Sequence, residues 1–183
     1  MGIFRKKQPT GLKSWHVVLI VLIILVTISL RFYSYHWPSA NIELKGNQLK
    51  VLVADTHEHL IKGLSEREEW DEYSGMLFIF KDIGQHTMVM RNMNFPLDIV
   101  WLKTVFSEKE CSLSEFSLRK LMTGIYKTCE AEVVDIAPGL QPESIESLTP
   151  YFNRDQSDLV LELPSGWVKE KDLKIGDKLK VLD

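Results

Sequence analysis

From Val17 to Leu30 the chain reads VVLIVLIILVTISL, a run whose only polar side-chain groups are the hydroxyls of Thr27 and Ser29. A helix on a globular core shows a polar stripe at the 3.6-residue period, and none exists between Val17 and Val26. Extended from Trp15 to Tyr35, the stretch is about twenty residues, close to what roughly 30 Å of hydrocarbon requires at 1.5 Å per residue. Trp15 at one end and Phe32, Tyr33, Tyr35 and Trp37 at the other suit the two membrane interfaces. The expectation is a basic tail over 1–14, a transmembrane anchor over 15–37 and a folded domain over 38–183.

A cleaved secretory signal is the alternative. Small residues at the −1 and −3 positions are missing where aromatic residues crowd the end of the run, so an uncleaved anchor is expected. No lipobox-like cysteine follows, and position 6 is Lys rather than the Ser or Thr of a myristoylation motif. Arg5, Lys6, Lys7 and Lys13 precede the run and only Arg31 sits just after it. That bias puts the N-terminus in the cytoplasm and the following domain outside.

Charge then bounds the partners. The chain carries a net −3, but its first 37 residues hold five basic residues and no acid, leaving 17 basic against 25 acidic beyond them. A domain at −8 repels phosphate backbones, so a nucleic-acid partner is not expected. The expected partners are the lipid bilayer, through the N-terminal helix, and an envelope ligand or membrane protein. The mixture of 45% hydrophobic and 26% charged residues is that of a folded protein.

Past the run the period changes to two. Ile42 and Leu44, a Gly46-Asn47 turn, then Leu49, Val51 and Val53 predict a hairpin. Thr56 is placed to cap a short helix from His57 towards Lys62, with Gly63 as the left-handed residue that stops it. Met76–Phe80, His86–Met90, Leu97–Leu102, Glu132–Ile136, Asp158–Leu163 and Lys178–Leu182 are candidate strands. Asp82-Ile83-Gly84 is expected to turn, a short helix to run from about Gly166 to Asp172, and Pro138–Asn153 to be mostly loop. The fold class expected is a β-rich α+β domain, barrel- or sandwich-like, with short helices.

An insertion at about 104–130 breaks this pattern. Leu113, Phe116, Leu118, Leu121 and Ile125 lie near helical spacing, flanked by Cys111 and Cys129. Outside the membrane a structural disulfide between those two cysteines is favoured, with two free thiols as the alternative.

Several short motifs coincide in order: Thr56, Glu58, Gly63-Leu64 and Arg67, then GMLFIF at 75–80, MRN at 90–92, PLDIVWL at 96–102, VLELPSG at 160–166 and LKIGDKLKV at 173–181. Together they resemble the domain of unknown function 192 family, also called uncharacterised protein family 0127. The resemblance implies a β-rich domain, often exported or membrane-tethered, with no established activity. That family usually carries Met where Ser65 stands and Trp where Val89 stands. Many members also have a paired-cysteine, Pro-rich loop before the VLEL strand, which this chain lacks.

Four polar residues sit inside these motifs beside apolar runs: Arg67, Arg91, Asn92 and Asp98. Charges there are costly unless paired. One reading is a cleft in which the two arginines hold an anionic or hydroxyl-rich ligand while Asn92 and Asp98 orient it. The other is an internal Asp98–Arg pair with Asn92 satisfying a turn. His57, His59 and His86 are expected as surface residues, because positions two apart on a helix do not chelate together. Met76, Met88, Met90 and Met93 are expected to pack in the core rather than hold a soft metal. No phosphate-cradling glycine loop and no Gly-x-Ser-x-Gly elbow occurs, so no cofactor, metal or catalytic residue is assigned.

The favoured function is a non-enzymatic, membrane-tethered extracytoplasmic binding domain. One rival is an envelope-polymer hydrolase using Asp98 with Asp135 or Glu162 as acid and base. Another is an assembly protein for a membrane complex that works through the insertion helix.

Overall fold

The computed structural model describes residues 14–35, 37–105 and 130–182, with the side chains of the first helix described over 14–29. The chain divides into two compact units, 1–36 and 37–183. In the first, α1 runs Ser14–Tyr35. Every described aliphatic side chain from Val17 to Val26 is about half exposed, so that stretch of α1 shows no buried face. Among the described residues no helix is long and apolar enough to cross a membrane.

The second unit follows the order β1 (Ser39–Leu44), β2 (Asn47–Ala54), α2 (His57–Lys62), β3 (Gly75–Gly84), β4 (Thr87–Met88), β5 (Leu97–Val105), β6 (Glu130–Leu140), β7 (Tyr151–Phe152), β8 (Ser157–Pro164), α3 (Trp167–Glu170) and β9 (Lys178–Leu182). Seven strands close a barrel in the order β1-β2-β3-β8-β5-β6-β9, and β4 pairs with β7 in a separate ribbon. Neighbours are antiparallel except β2 and β3, which run parallel. A parallel pair needs a crossover, and α2 with the loop after it supplies one. Closure removes the open edges that so many short strands would otherwise expose.

The period-two pattern sorts the apolar residues into two cores. Ile42, Val51, Leu77, Val100, Val133, Leu161 and Leu179 come from all seven barrel strands, so the face they share is the lumen. Val168 of α3 and Leu173 pack against them at one end. The second core lies outside the wall, where Leu52, Met76, Phe78, Ile99, Trp101 and Val160 are covered by Leu64, Met88, Met90 and Met93. The four methionines are all buried there.

Local signals placed the hairpin and the first short helix well. Thr56 caps α2 by accepting the His59 N–H at 3.2 Å, and Gly63 ends it at φ 50°. Gly75 has no room for a side chain, since a Cβ there would stand 2.5 Å from the Glu162 carbonyl oxygen. Elsewhere tertiary pairing overrode the local reading. The turn expected at Asp82-Ile83-Gly84 is part of β3, because Gly84 pairs with Ser157 after a register shift. The strand expected over His86–Met90 shrinks to Thr87–Met88, and its partner Tyr151–Phe152 lies in the stretch expected to be loop. β6 likewise runs through Pro138 to Leu140, where Leu140 pairs with Leu97. Cys111, Cys129 and the helical part of the insertion lie outside the described residues.

Candidate functional site

Three of the four motif residues fall on two loops stitched to each other. The Ser65 hydroxyl donates to the Arg91 carbonyl at 2.9 Å, the Glu66 N–H donates to the Asn92 carbonyl at 2.8 Å, and the Asn94 amide donates to the Arg67 carbonyl at 2.9 Å. Asn92 is left-handed, at φ 52°, a conformation that an Asn tolerates better than most side chains. This turns the chain so that the Arg91 guanidinium reaches back to α2 and donates to the Ile61 carbonyl at 2.7 Å. An orphan carbonyl of the helix's last turn is thereby satisfied.

Beside this junction lies an open groove of about 490 Å³. His57, Glu58, Ile61 and Lys62 of α2 form one wall, and Ser65, Glu66, Arg91, Asn92 and Ile145 form the rest. Ile61 is 54% exposed and Ile145 66%, so the groove has an apolar rim on two sides. Lys62 pairs with Glu66, whose carboxyl is held below its ordinary range by that ammonium. Arg91 and Glu58 make no ion pair among the described residues, so a charge of each sign lines the opening. The loop carrying Ile145 is held by a backbone β-bridge between Arg91 and Glu143, in which the Glu143 N–H donates to the Met90 carbonyl at 3.3 Å, and by the Tyr151 hydroxyl donating to Glu143 at 2.7 Å.

Arg67 stands next to this groove in sequence but does not line it. Its guanidinium donates to Asp71 at 3.2 Å and lies 5.7 Å from the centre of the Trp37 ring. Trp37 also stacks on His59, with ring centres 4.1 Å apart. His59 is therefore buried, not the surface histidine expected, because the apolar face of so short a helix needs every residue that can pack. Its Nδ1 lies 3.9 Å from Asp55. His86 stacks on Phe80 at 3.7 Å. Among the described residues no three His, Cys, Asp or Glu side chains gather as metal ligands.

Asp98 is elsewhere. It is fully buried, and its two oxygens accept the Gly139 N–H at 2.8 Å and the Val168 N–H at 2.9 Å. Its partners are thus main-chain amides and neither arginine. The other two carboxylates that the hydrolase reading needs do not converge on it. Asp98 pairs with Leu163 while Glu162 pairs with Ile99, so the two acids point to opposite faces of the sheet. Asp135 is held by the Arg154 guanidinium and main-chain N–H, the latter at 2.8 Å, and Arg154 keeps its carboxyl below the usual range. Glu162 is buried with an oxygen that has no hydrogen-bond partner, and desolvation pushes its carboxyl up to about 8.

Ile61, Ser65 and Ile145 were not singled out as site residues by sequence reasoning. Only Ser65 left a signal, as a polar residue where relatives of the resembled family usually carry Met.

Comparison with known proteins agrees with that resemblance. The model of the family DUF192, described as "Uncharacterized ACR", matches residues 40–111, which supports the assignment of β1 through β5 to it. No curated protein matches the sequence. Among solved structures, a candidate transcription regulator from Sinorhizobium meliloti 1021 is similar with a TM-score of 0.59 and 22% identity, over 79% of this chain and 95% of that one. A protein of unknown function from Novosphingobium aromaticivorans DSM 12444 is similar with a TM-score of 0.55 and 22% identity, over 79% and 84% of the two chains. At that identity the likeness is one of fold alone.

Proposed function

We propose that this chain is a membrane-tethered extracytoplasmic domain that binds an envelope ligand or protein partner in the groove between α2 and the Arg91–Asn92 turn. The observation that carries the binding half is the groove itself: a floor cross-linked by hydrogen bonds, two exposed isoleucines at the rim, and a charge of each sign without an ion pair among the described residues. An open groove with those contents suits an extended or helical segment of another molecule better than an enclosed small substrate. The tether half is supported by the stretch Val17–Val26, apolar all round and half exposed throughout, and by the basic residues that precede it.

The hydrolase reading finds less support, since its three carboxylates are occupied by main-chain amides, occupied by an arginine, or buried without a partner. The test is site-specific photocrosslinking in intact cells from Ile61 and Ile145, with exposed Ile175 as control. Adducts from the first two positions, absent at Ile175 and lost with Arg91→Glu, are the expected outcome. No adduct from either groove position removes the binding reading.

A further inference from the structure

Glu162 occupies an unusual place in the barrel wall. Register sets it in a row that runs Leu52, Met76, Glu162, Ile99 across β2, β3, β8 and β5. Leu161 and Leu163 point into the lumen, so Glu162 points outward with Val160, into the second core. The residue is 5% exposed, and its Oε2 has no hydrogen-bond partner among the described residues. Leu64, Met90 and Met93 belong to the layer that covers this core. They are chain neighbours of Ser65, Arg91 and Asn92, which line the groove. The layer that covers this core and the wall of the groove are therefore built from the same two loops.

We propose that Glu162 is a pH-responsive support for the groove: as a neutral acid it lets the 64–66 and 90–93 segments pack down, and as a carboxylate it draws in water and loosens them. The proton goes to solvent. Among the described residues no charged group on the packed elements pairs with it. Asp98 on β5 points into the lumen, Asp135 on β6 is held by Arg154, and Asp158 on β8 accepts the Thr104 N–H. Lys50 on β2 pairs with Glu72, His59 on α2 stacks on Trp37, and Arg67 and Arg91 are engaged by Asp71 and the Ile61 carbonyl. With apolar neighbours in its row and no counter-charge, the carboxyl is held neutral by desolvation, and it titrates only in mildly alkaline solution. The regulatory meaning rests on the groove being a binding site, but the device itself does not.

The full-length protein in detergent micelles tests this by infrared spectroscopy and hydrogen exchange. A protonated-carboxyl band present at about pH 7, lost by about pH 9 and absent from Glu162→Gln is expected. Over the same interval, exchange corrected for its intrinsic pH dependence should rise about tenfold in the 64–66 and 90–93 segments and not at Leu77 or Leu161. In Glu162→Gln that rise should vanish. Absence of the band near neutrality, or the same rise in wild type and variant, overturns the proposal. Should the variant fail to fold, loss of the band in the wild type without loosening of the two segments overturns it equally. A failure here leaves the crosslinks from Ile61 and Ile145 standing, and absent crosslinks leave this titration standing.

Discussion

The Asp98 Oδ2 accepts the backbone N–H of Val168 at 2.9 Å across seventy positions of sequence. The short helix α3 has Gly166 as its N-cap residue, with no side chain to cap it, and Asp98 supplies from β5 the acceptor that an N-cap side chain would provide. Its other oxygen takes the Gly139 N–H of β6, so one carboxylate joins three parts of the chain at a barrel mouth.

Replacing Asp98 should therefore damage the fold. Asn keeps one acceptor but turns an NH2 towards a buried N–H, and about 2 kcal/mol of stability should be lost; Ala orphans both amides and should cost about 3 kcal/mol or more. Urea unfolding measures both, and a midpoint unchanged in Asp98→Asn would show that these amides do not depend on the charge.

Glu162 sets the alkaline side of stability. Its folded value of about 8 lies above the ordinary 4.5, so between those limits the unfolded chain releases a proton that the native state keeps. Stability therefore falls as pH rises through that window, by roughly 1.4 kcal/mol per unit in the ideal case, and levels off above it. Glu162→Gln should flatten this slope and raise the melting temperature near neutral pH. A variant that melts below the wild type at every pH would contradict it.

Asp135 acts in the opposite direction. Arg154 holds its folded value below the unfolded one, so its contribution is complete above the unfolded value and is lost as pH falls through the folded one. Arg154→Ala should lower the melting temperature at neutral pH and move acid unfolding to higher pH. The two proteins should converge in strong acid, where the carboxyl is protonated in both.

The proposed tether makes a cellular prediction. Protease added to spheroplasts should degrade residues 38–183, and the intact protein should resist alkaline carbonate extraction from membranes. A protected domain would reverse the topology, and release by carbonate would remove the tether.

What the sequence by itself determined is what local chemistry decides. Thr56 and Gly63 bound α2 because a hydroxyl cap and a positive-φ glycine act within one turn of chain. The alternation in β1 and β2 declares a wall with an inside. Arg91 and Asn92 stand out in the sequence because polar residues inside an apolar motif need a reason, and both line the groove. The tertiary structure alone decided closure into seven strands, the conversion of Asp82–Gly84 from turn to strand, and the separation of Asp98 from both arginines. Each depends on pairing between positions far apart, as Gly84 with Ser157 or Asp98 with Val168. The hydrogen-bonding needs of a residue are written in its own side chain, whereas the partner that meets them is set by which strands become neighbours when the barrel closes.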